Sequence, residues 1–360
     1  EGRHALALLS AARFDHPAKK LVMIGVTGTK GKTTTTHMIR AILLAAGKKV
    51  GMIGTTGTVI GDVVTPTLNT TPESYELHQA FAQMVEAGCE YAVMEVSSQG
   101  IKMHRTDGLY FNYAIFTNIS PDHIGPGEHA DFEEYLYYKT RLLNMCGIGL
   151  VNKDDKHAPQ IIKAANCELY TYSEESKEAD FVASDIRYVS QPDFVGTEFH
   201  ISGKYDMEVR LGIPGLFNVV NALAAVSVCS FLGLDQARIS HALENIRVNG
   251  RMEIVYTSER CTVLVDYAHN AVSMESLLST LRDYKPKRLV CVFGCGGNRS
   301  KDRRYSMGEI GGKMADLSII TADNSRYEKV EDIIADIRGS IEKTGGKFIE
   351  IPDRREAIRY

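Results

Sequence analysis

No apolar run in this sequence is long enough to cross a membrane, and no secretory-signal pattern stands at its start. Neither sign of charge dominates. The 41 Lys and Arg against 45 Asp and Glu give a formal net charge of −4 at pH 7, which argues against a nucleic-acid-binding surface. The seven cysteines have neither metal-centre nor disulfide-framework spacing; the closest pair is Cys291 and Cys295. Such usage fits a reducing cytoplasm. Internal repeats and low-complexity tracts are also missing. These absences point away from membrane insertion and nucleic acid, toward a cytoplasmic globular protein. At 360 residues and 44% hydrophobic content, the chain is long enough for two or three domains.

The most informative stretch is residues 21–36, LVMIGVTGTKGKTTTT. An apolar run, Leu21 to Val26, reads as a buried strand. A turn with Gly28 and Gly31 follows, then Lys32 and Thr33, then a helical pattern through Ile39, Leu43 and Ala46. Strand, glycine loop, Lys-Thr and helix are the layout of a phosphate-binding loop, the alternative being a Gly/Thr-rich strand–helix turn without a ligand. Glycines let backbone N–H groups curl round an anion, and the helix points its positive end at it. Lys32 neutralises phosphate charge in such a loop and the Thr33 hydroxyl holds Mg²⁺. Val26 stands where the common pattern has its first glycine, so the match is to a shorter G-T-x-G-K-T-T form.

Further along, Gly47 stops the first helix and Val50 to Ile53 begins a strand. Thr70-Thr71-Pro72-Glu73 reads as a helix start with a Thr cap. Leu77, Phe81, Met84 and Val85 then form a helical stripe closed by Gly88. Tyr91 to Val96 and Tyr113 to Thr117 read as inner parallel strands. The alternation predicts an α/β, doubly wound central sheet of the P-loop ATPase type. Residues 168–213 lack helical patterns and predict a small antiparallel appendage. The pattern resets near Asn249-Gly250-Arg251. Val263 to Asp266, Leu289 to Phe293 and Leu317 to Thr321 predict strands of a second α/β domain.

Ligands of open α/β sheets lie beyond the carboxyl ends of strands, and several polar residues fall there. Glu95 suits an Mg²⁺ shell or a capping role. Asn118, Asp122 and His123 follow the strand ending at Thr117. Asn218 and Asn221 share a helix face, as base-gripping residues or as an Asn cap. Asp266 closes a strand where ribose hydroxyls would lie. Gly294 to Gly297 followed by Arg299 suits an anionic substrate or a solvated loop. Lys139, in the aromatic-rich EYLYYKTRLL, reads from composition as a snorkelling surface lysine.

In order, GVTGTKGKTTT, MEVSSQG, FTNISPDH, EYLYYKTRLL, FNVVNALAA, NGRMEIV, VDYAH, FGCGGNR and TADNSRYE resemble the motifs of the Mur ligases across residues 21–360. Within that family the likeness is greatest to the members that add the third residue of the peptidoglycan stem peptide. The resemblance implies an ATP- and Mg²⁺-dependent, ADP-forming amide ligase acting on UDP-MurNAc-dipeptide and a free amino acid. It implies three segments. Residues 1–20 are the tail of a uridine-nucleotide-binding domain, 21–248 the ATP-binding domain, and 249–360 an incomplete Rossmann-like amino-acid domain. It also implies that both ends lack pieces of the whole enzyme. Oligomeric state is left open, with a monomer expected.

Carried over by position, Gly28, Gly31, Lys32, Thr33, Thr34 and Asn118 would hold ATP phosphates, with Thr33, Glu95 and His123 at the metal. Lys139 would be a carbamylated lysine, an amine made into an acidic metal ligand by CO₂. The resemblance thus opposes the composition-based reading of this residue. Asn218, Asn221, Arg251 and Asp266 would surround the nucleotide. Thr70, Thr71, Ser97 and Arg105 would contact the UDP-sugar peptide, and Arg299, Asp323, Asn324 and Arg326 the amino acid. Four positions depart from the commonest pattern: Gln99 for histidine, Met103 for glutamine, Asn298 for aspartate and Ser325 for proline. The retained Arg326 implies meso-diaminopimelate as the amino acid, with L-lysine or a folylpolyglutamate-type reaction as the alternatives.

Overall fold

A computed structural model describes residues 2–125, 127–191 and 193–360. It divides into two compact units, Glu1–Arg187 with Phe194–Asn249, and Tyr188–Asp193 with Gly250–Tyr360.

The first unit is organised on an eleven-stranded sheet. Its strands are β1 (Val22–Thr27), β2 (Val50–Gly54), β3 (Gly57–Ile60), β4 (Val63–Thr65), β5 (Tyr91–Glu95), β6 (Phe111–Phe116), β7 (Cys146–Asn152), β8 (Glu168–Ser173), β9 (Phe181–Gln191), β10 (Phe194–Gly203) and β11 (Met207–Leu211). The order across the sheet is β11-β10-β9-β8-β7-β6-β1-β5-β2-β3-β4. From β2 through β5, β1, β6, β7 and β8 to β9 the neighbours pair parallel. The central strands are buried on both faces, which is why they read as unbroken apolar runs.

Helices cover the sheet. Lys32–Ala45 buries Met38, Ile39, Ile42 and Leu43, the 3–4 spacing of one helical stripe. Each such side chain contributes roughly 1.5–3 kcal/mol when fully buried. Helix Leu216–Phe231 packs against it and is apolar on nearly all faces, as a helix inside a core must be. Gly47 and Gly88 follow their helices with φ of 77° and 74°, the left-handed conformation glycine adopts most cheaply.

Two expectations need correction. The antiparallel appendage expected over 168–213 is smaller than that range: β8 and β9 continue the parallel sheet, and β10 pairs antiparallel with β11 beyond them. An antiparallel meander, β2-β3-β4, also closes the opposite edge. Finally, Thr70 and Thr71 do not cap a helix. That helix begins at Ser74, and Thr71 is engaged elsewhere: its hydroxyl donates to Glu95 O and accepts from Ser97 N.

The second unit holds a parallel three-stranded sheet, β14 (Val290–Phe293), β15 (Leu317–Ile320) and β16 (Phe348–Glu350), preceded in sequence by an antiparallel ribbon, β12 (Glu253–Thr257) with β13 (Thr262–Val265). The Val263–Asp266 run therefore forms half of a ribbon rather than a strand of the parallel sheet. Helices Ala271–Asp283, Lys301–Met314 and Val330–Thr344 enclose a core of Met274, Leu278, Phe293, Met307, Ile334 and Ile337.

Candidate active site

The carboxyl ends of three adjacent strands come into register. Val26 of β1 pairs with Glu95 of β5, and Thr27 pairs with Phe116 of β6. The segments that follow, from Gly28, Val96 and Thr117, therefore leave the sheet side by side.

The loop from Gly28 to Gly31 is held by what lies beside it. Asn118 grips Lys30 with both ends of its amide, Oδ1 accepting from Lys30 N at 2.9 Å and Nδ2 donating to Lys30 O at 3.0 Å. Thr117 Oγ1 donates to Lys30 O at 2.7 Å. A Cβ at Gly28 would lie 1.9 Å from that hydroxyl, and one at Gly31 would lie 2.4 Å from Asn221 Oδ1. Both glycines are thus required by close approach as well as by positive φ. Asn218 is not the helix cap, a position held by Gly215. Its amide donates to Pro214 O, and its oxygen accepts from Asn221.

Of the charged groups around this loop, Glu95 and Lys139 are buried and Lys32 is half-buried. Lys32 Nζ donates to Gly28 O at 2.8 Å and to Thr29 O at 3.1 Å. Thr33 and Thr34 are buried in the first helical turn. Glu95, 1% exposed, accepts from Thr33 Oγ1 at 3.0 Å, from Thr55 N at 2.9 Å and from Thr55 Oγ1 at 3.1 Å. The composition-based expectation for Lys139 is wrong. It is 2% exposed, and its Nζ donates to Gly28 O at 2.8 Å while lying 4.7 Å from the centre of the Tyr135 ring. Burial, reinforced by the charge of Lys32 and opposed by Asp122, holds its ammonium pKa well below the ordinary lysine value. His123 lies in the exposed loop after β6, with φ of 52° and its Nδ1 2.9 Å from Glu128.

Thr70, Thr71, Ser97 and Arg105 gather beside Glu95. Thr70 Oγ1 meets Thr55 Oγ1 at 3.1 Å, and Ser97 caps the short helix Ser98–Lys102. Arg105 donates to Thr71 O at 3.0 Å and pairs with Glu73 at 2.8 Å.

In the second unit Asp266 accepts from Met252 N and Ala268 N, both at 2.8 Å, and the Arg251 guanidinium lies 4.6 Å from the Tyr267 ring centre. The loops carrying Arg299 and Arg326 are joined. Gly297 N donates to Asn324 O at 2.8 Å, Tyr327 N donates to Asn298 Oδ1 at 3.1 Å, and Asn298 N donates to Glu328. Arg326 Nη1 donates to Gly297 O at 2.8 Å. Arg299, Asp323 and Asn324 are exposed along the same loops.

Sequence reading missed Thr55, Thr117 and Tyr135, whose hydroxyl meets Thr29 Oγ1 at 3.1 Å and whose burial pushes its pKa up to about 12. A signal existed for each. Thr55 and Thr117 directly follow strand ends, and Tyr135 stands four residues before Lys139 on one helix face.

The Mur ligase middle domain matches residues 26–229, and the glutamate ligase domain of the Mur ligases matches residues 250–360. The chain belongs to the Mur ligases. A UDP-N-acetylmuramoyl-L-alanyl-D-glutamate–2,6-diaminopimelate ligase of Caldanaerobacter subterraneus subsp. tengcongensis is 40% identical over 366 residues, spanning 100% of this chain and 74% of the relative. The ligase of that name from Geobacillus thermodenitrificans is 38% identical over 371 residues, with the same coverage. A solved structure of a ligase so named superposes with a TM-score of 0.75 at 32% identity, covering 97% of this chain and 71% of that one. Mur ligases use ATP and Mg²⁺. The residues here suit both: a glycine loop with no room for a Cβ, and a buried Thr33–Glu95 pair of hard oxygen donors. No helix among the described residues is long and apolar enough to cross a membrane.

Proposed function

We propose that this Mur ligase joins meso-diaminopimelate to UDP-MurNAc-L-Ala-D-Glu at the expense of ATP. The observation that carries the ligase chemistry is the buried Lys139 amine, set against the carbonyl of the phosphate loop and beside the charge of Lys32. An amine whose pKa is lowered by burial offers more of its nucleophilic unprotonated form to CO₂; the N–C bond forms, one N–H proton passes to solvent, and the resulting carbamate is an anionic oxygen ligand. Lys139 is accordingly read as a carbamylated lysine.

In this reading Gly28 and Gly31 leave room for the phosphates, and Lys32 turns from the loop carbonyls to the transferring phosphoryl group. Thr33, Glu95, His123 and the Lys139 carbamate would hold Mg²⁺. When bound, that ion neutralises phosphate charge. Asn118 fixes the loop. Asn218, Asn221, Arg251 and Asp266 serve the nucleotide. The Thr71 hydroxyl is taken up by Glu95 O and Ser97 N, so Thr71 acts by positioning, and Thr70, Ser97 and Arg105 beside it would contact the UDP-sugar peptide.

The free carboxylate of the dipeptide's glutamate attacks the γ-phosphorus, the bond to the bridging oxygen breaks, and ADP leaves. The amine of the amino acid then attacks the acyl carbon, inorganic phosphate departs, and the amine proton passes to solvent. Arg326, supported by Arg299, Asp323 and Asn324, receives the distal carboxylate of diaminopimelate. The test is phosphate release from ATP by the full-length protein with UDP-MurNAc-L-Ala-D-Glu and either meso-diaminopimelate or L-lysine. Release that depends on diaminopimelate supports the reading; release without any amino acid, or with lysine alone, overturns it.

A further inference from the structure

The first helix, Gly2–Arg13, lies over the turn that follows helix Ser98–Lys102. It is fixed at both ends of that turn. Arg3 Nε donates to Met103 O at 2.8 Å, and a Cβ at Gly108 would lie 2.9 Å from Leu8 Cδ2. His4 sits between these anchors and faces the turn. Its Nδ1 is 2.5 Å from Asp107 Oδ2, and His104 Nδ1 is 2.8 Å from the same oxygen. His104 holds a left-handed backbone, φ 58°, to reach it, and the two imidazoles meet edge to face at 6.2 Å.

Two ring nitrogens aimed at one carboxylate oxygen form more than a salt bridge. The three ligand atoms lie within 4.8 Å of one another, and among the described residues no other group of three His, Cys, Asp or Glu does so. A tetrahedral zinc centre with bonds of about 2.0 Å sets its ligand atoms about 3.3 Å apart. The observed 2.5 and 2.8 Å separations reach that value if each imidazole withdraws by less than about 1 Å, a side-chain adjustment. Two neutral imidazoles and a carboxylate suit a borderline transition cation. Mg²⁺ and Ca²⁺ demand more oxygens.

We propose that His4, His104 and Asp107 form a divalent transition-metal site of the zinc class, with water as fourth ligand. The bound ion staples the first helix to the 103–108 turn, joining segments 100 residues apart in sequence. On binding, the two Nδ1 protons are displaced to Nε2 or to solvent. None of the phosphate-loop or amino-acid residues takes part, so the proposal stands or falls apart from the ligase reading.

The test uses full-length protein stripped with a chelator and supplied with excess Mg²⁺. Titration with Co²⁺ should give one equivalent with the intense visible bands of a four-coordinate ion, removed by Zn²⁺, and Zn²⁺ should raise Tm. His4→Ala, His104→Asn and Asp107→Asn should each weaken the site at least tenfold and cancel the Tm shift. Asparagine tolerates the left-handed backbone at 104, and His4 is exposed, so these variants keep the fold. Only weak six-coordinate Co²⁺ bands, or equal Zn²⁺ affinity in wild type and all three variants, would reduce the cluster to an ion pair and overturn the proposal.

Discussion

Lys32 Nζ and Lys139 Nζ donate to one backbone oxygen, that of Gly28, each at 2.8 Å. Burial of Lys139, and then the like charge of Lys32 at the same carbonyl, drive the pKa of the deeper amine down. The two amines thereby take different chemistries. In the proposed reading Lys32 serves the phosphate, while Lys139, its pKa lowered by burial, is the amine that takes up CO₂. Lys32→Ala should therefore lower ADP formation by about 10²–10³-fold, the usual loss for a transition-state charge partner, without loss of fold. Steady-state ADP release together with circular dichroism checks both halves. Turnover within a few-fold of wild type would remove Lys32 from the phosphate site.

Lys139 carries two separable predictions. For activity, Lys139→Ala should be nearly inactive, and short carboxylates such as acetate should partly restore it by supplying oxygens. Full activity without additive would make the lysine purely structural. For stability the direction is opposite. Its folded pKa lies below the value of the unfolded chain, so between the two the unfolded state holds the extra proton. The penalty is fully present at low pH and is relieved as pH rises toward 10.5. In bicarbonate-free buffer Lys139→Met should raise Tm at pH 7, and the gain should shrink as pH approaches the lysine range. A gain that grows with pH would contradict the buried neutral amine.

The phosphate loop was legible because it is local: a strand, two glycines and Lys-Thr lie within sixteen residues of one another. Lys139 was not, since an aromatic helix reads alike whether its lysine snorkels or is buried, and burial is decided by the loop 111 residues away. The Thr70-Thr71-Pro72-Glu73 signal marked the helix that begins at Ser74 but misplaced its cap, for a similar reason. Thr71 found better partners in Glu95 O and Ser97 N than in its own helix, and Glu73 found Arg105. The β12–β13 ribbon escaped notice because Val263–Val265 is an apolar run of the same kind as an inner parallel strand, and periodicity does not tell which partner it pairs with.

Gly31 tests the packing of the loop itself. Its φ is 87°, and an added Cβ would meet Asn221 Oδ1 at 2.4 Å. Gly31→Ala should cost about 1–3 kcal/mol in unfolding free energy for the backbone conformation, with the contact adding to it. Gly233→Ala is the control, since φ there is 64° but the space is open. It should cost about 1 kcal/mol, the conformational part alone. Denaturant midpoints of the two variants give the comparison. Equal losses would show that Asn221 yields freely and does not fix the loop.

In the proposed reading the amino acid is selected at Arg326. Diaminopimelate differs from lysine chiefly by a carboxylate at its far end, and a planar guanidinium pairs such a group at two points. An arginine already neutralised by its own loop would be useless for this, and both Asp323 and Glu328 stand close in sequence. Neither pairs with it among the described residues. Arg326 Nη1 rests on Gly297 O, while Glu328 is held by the buried Arg304 at 2.7 Å and by Asn298 N. Arg304 thus leaves Arg326 without a carboxylate partner, at the edge of two joined loops, with φ of 50° and Ser325 where the common motif has proline. Wild type should prefer meso-diaminopimelate to L-lysine in kcat/KM. Arg326→Ala should lose about 2–5 kcal/mol of transition-state binding for diaminopimelate and little for lysine. Arg326→Lys should recover only part, because a point charge lacks the two-pronged geometry. A wild-type preference for lysine, or an unchanged ratio in Arg326→Ala, would take the distal carboxylate away from this arginine.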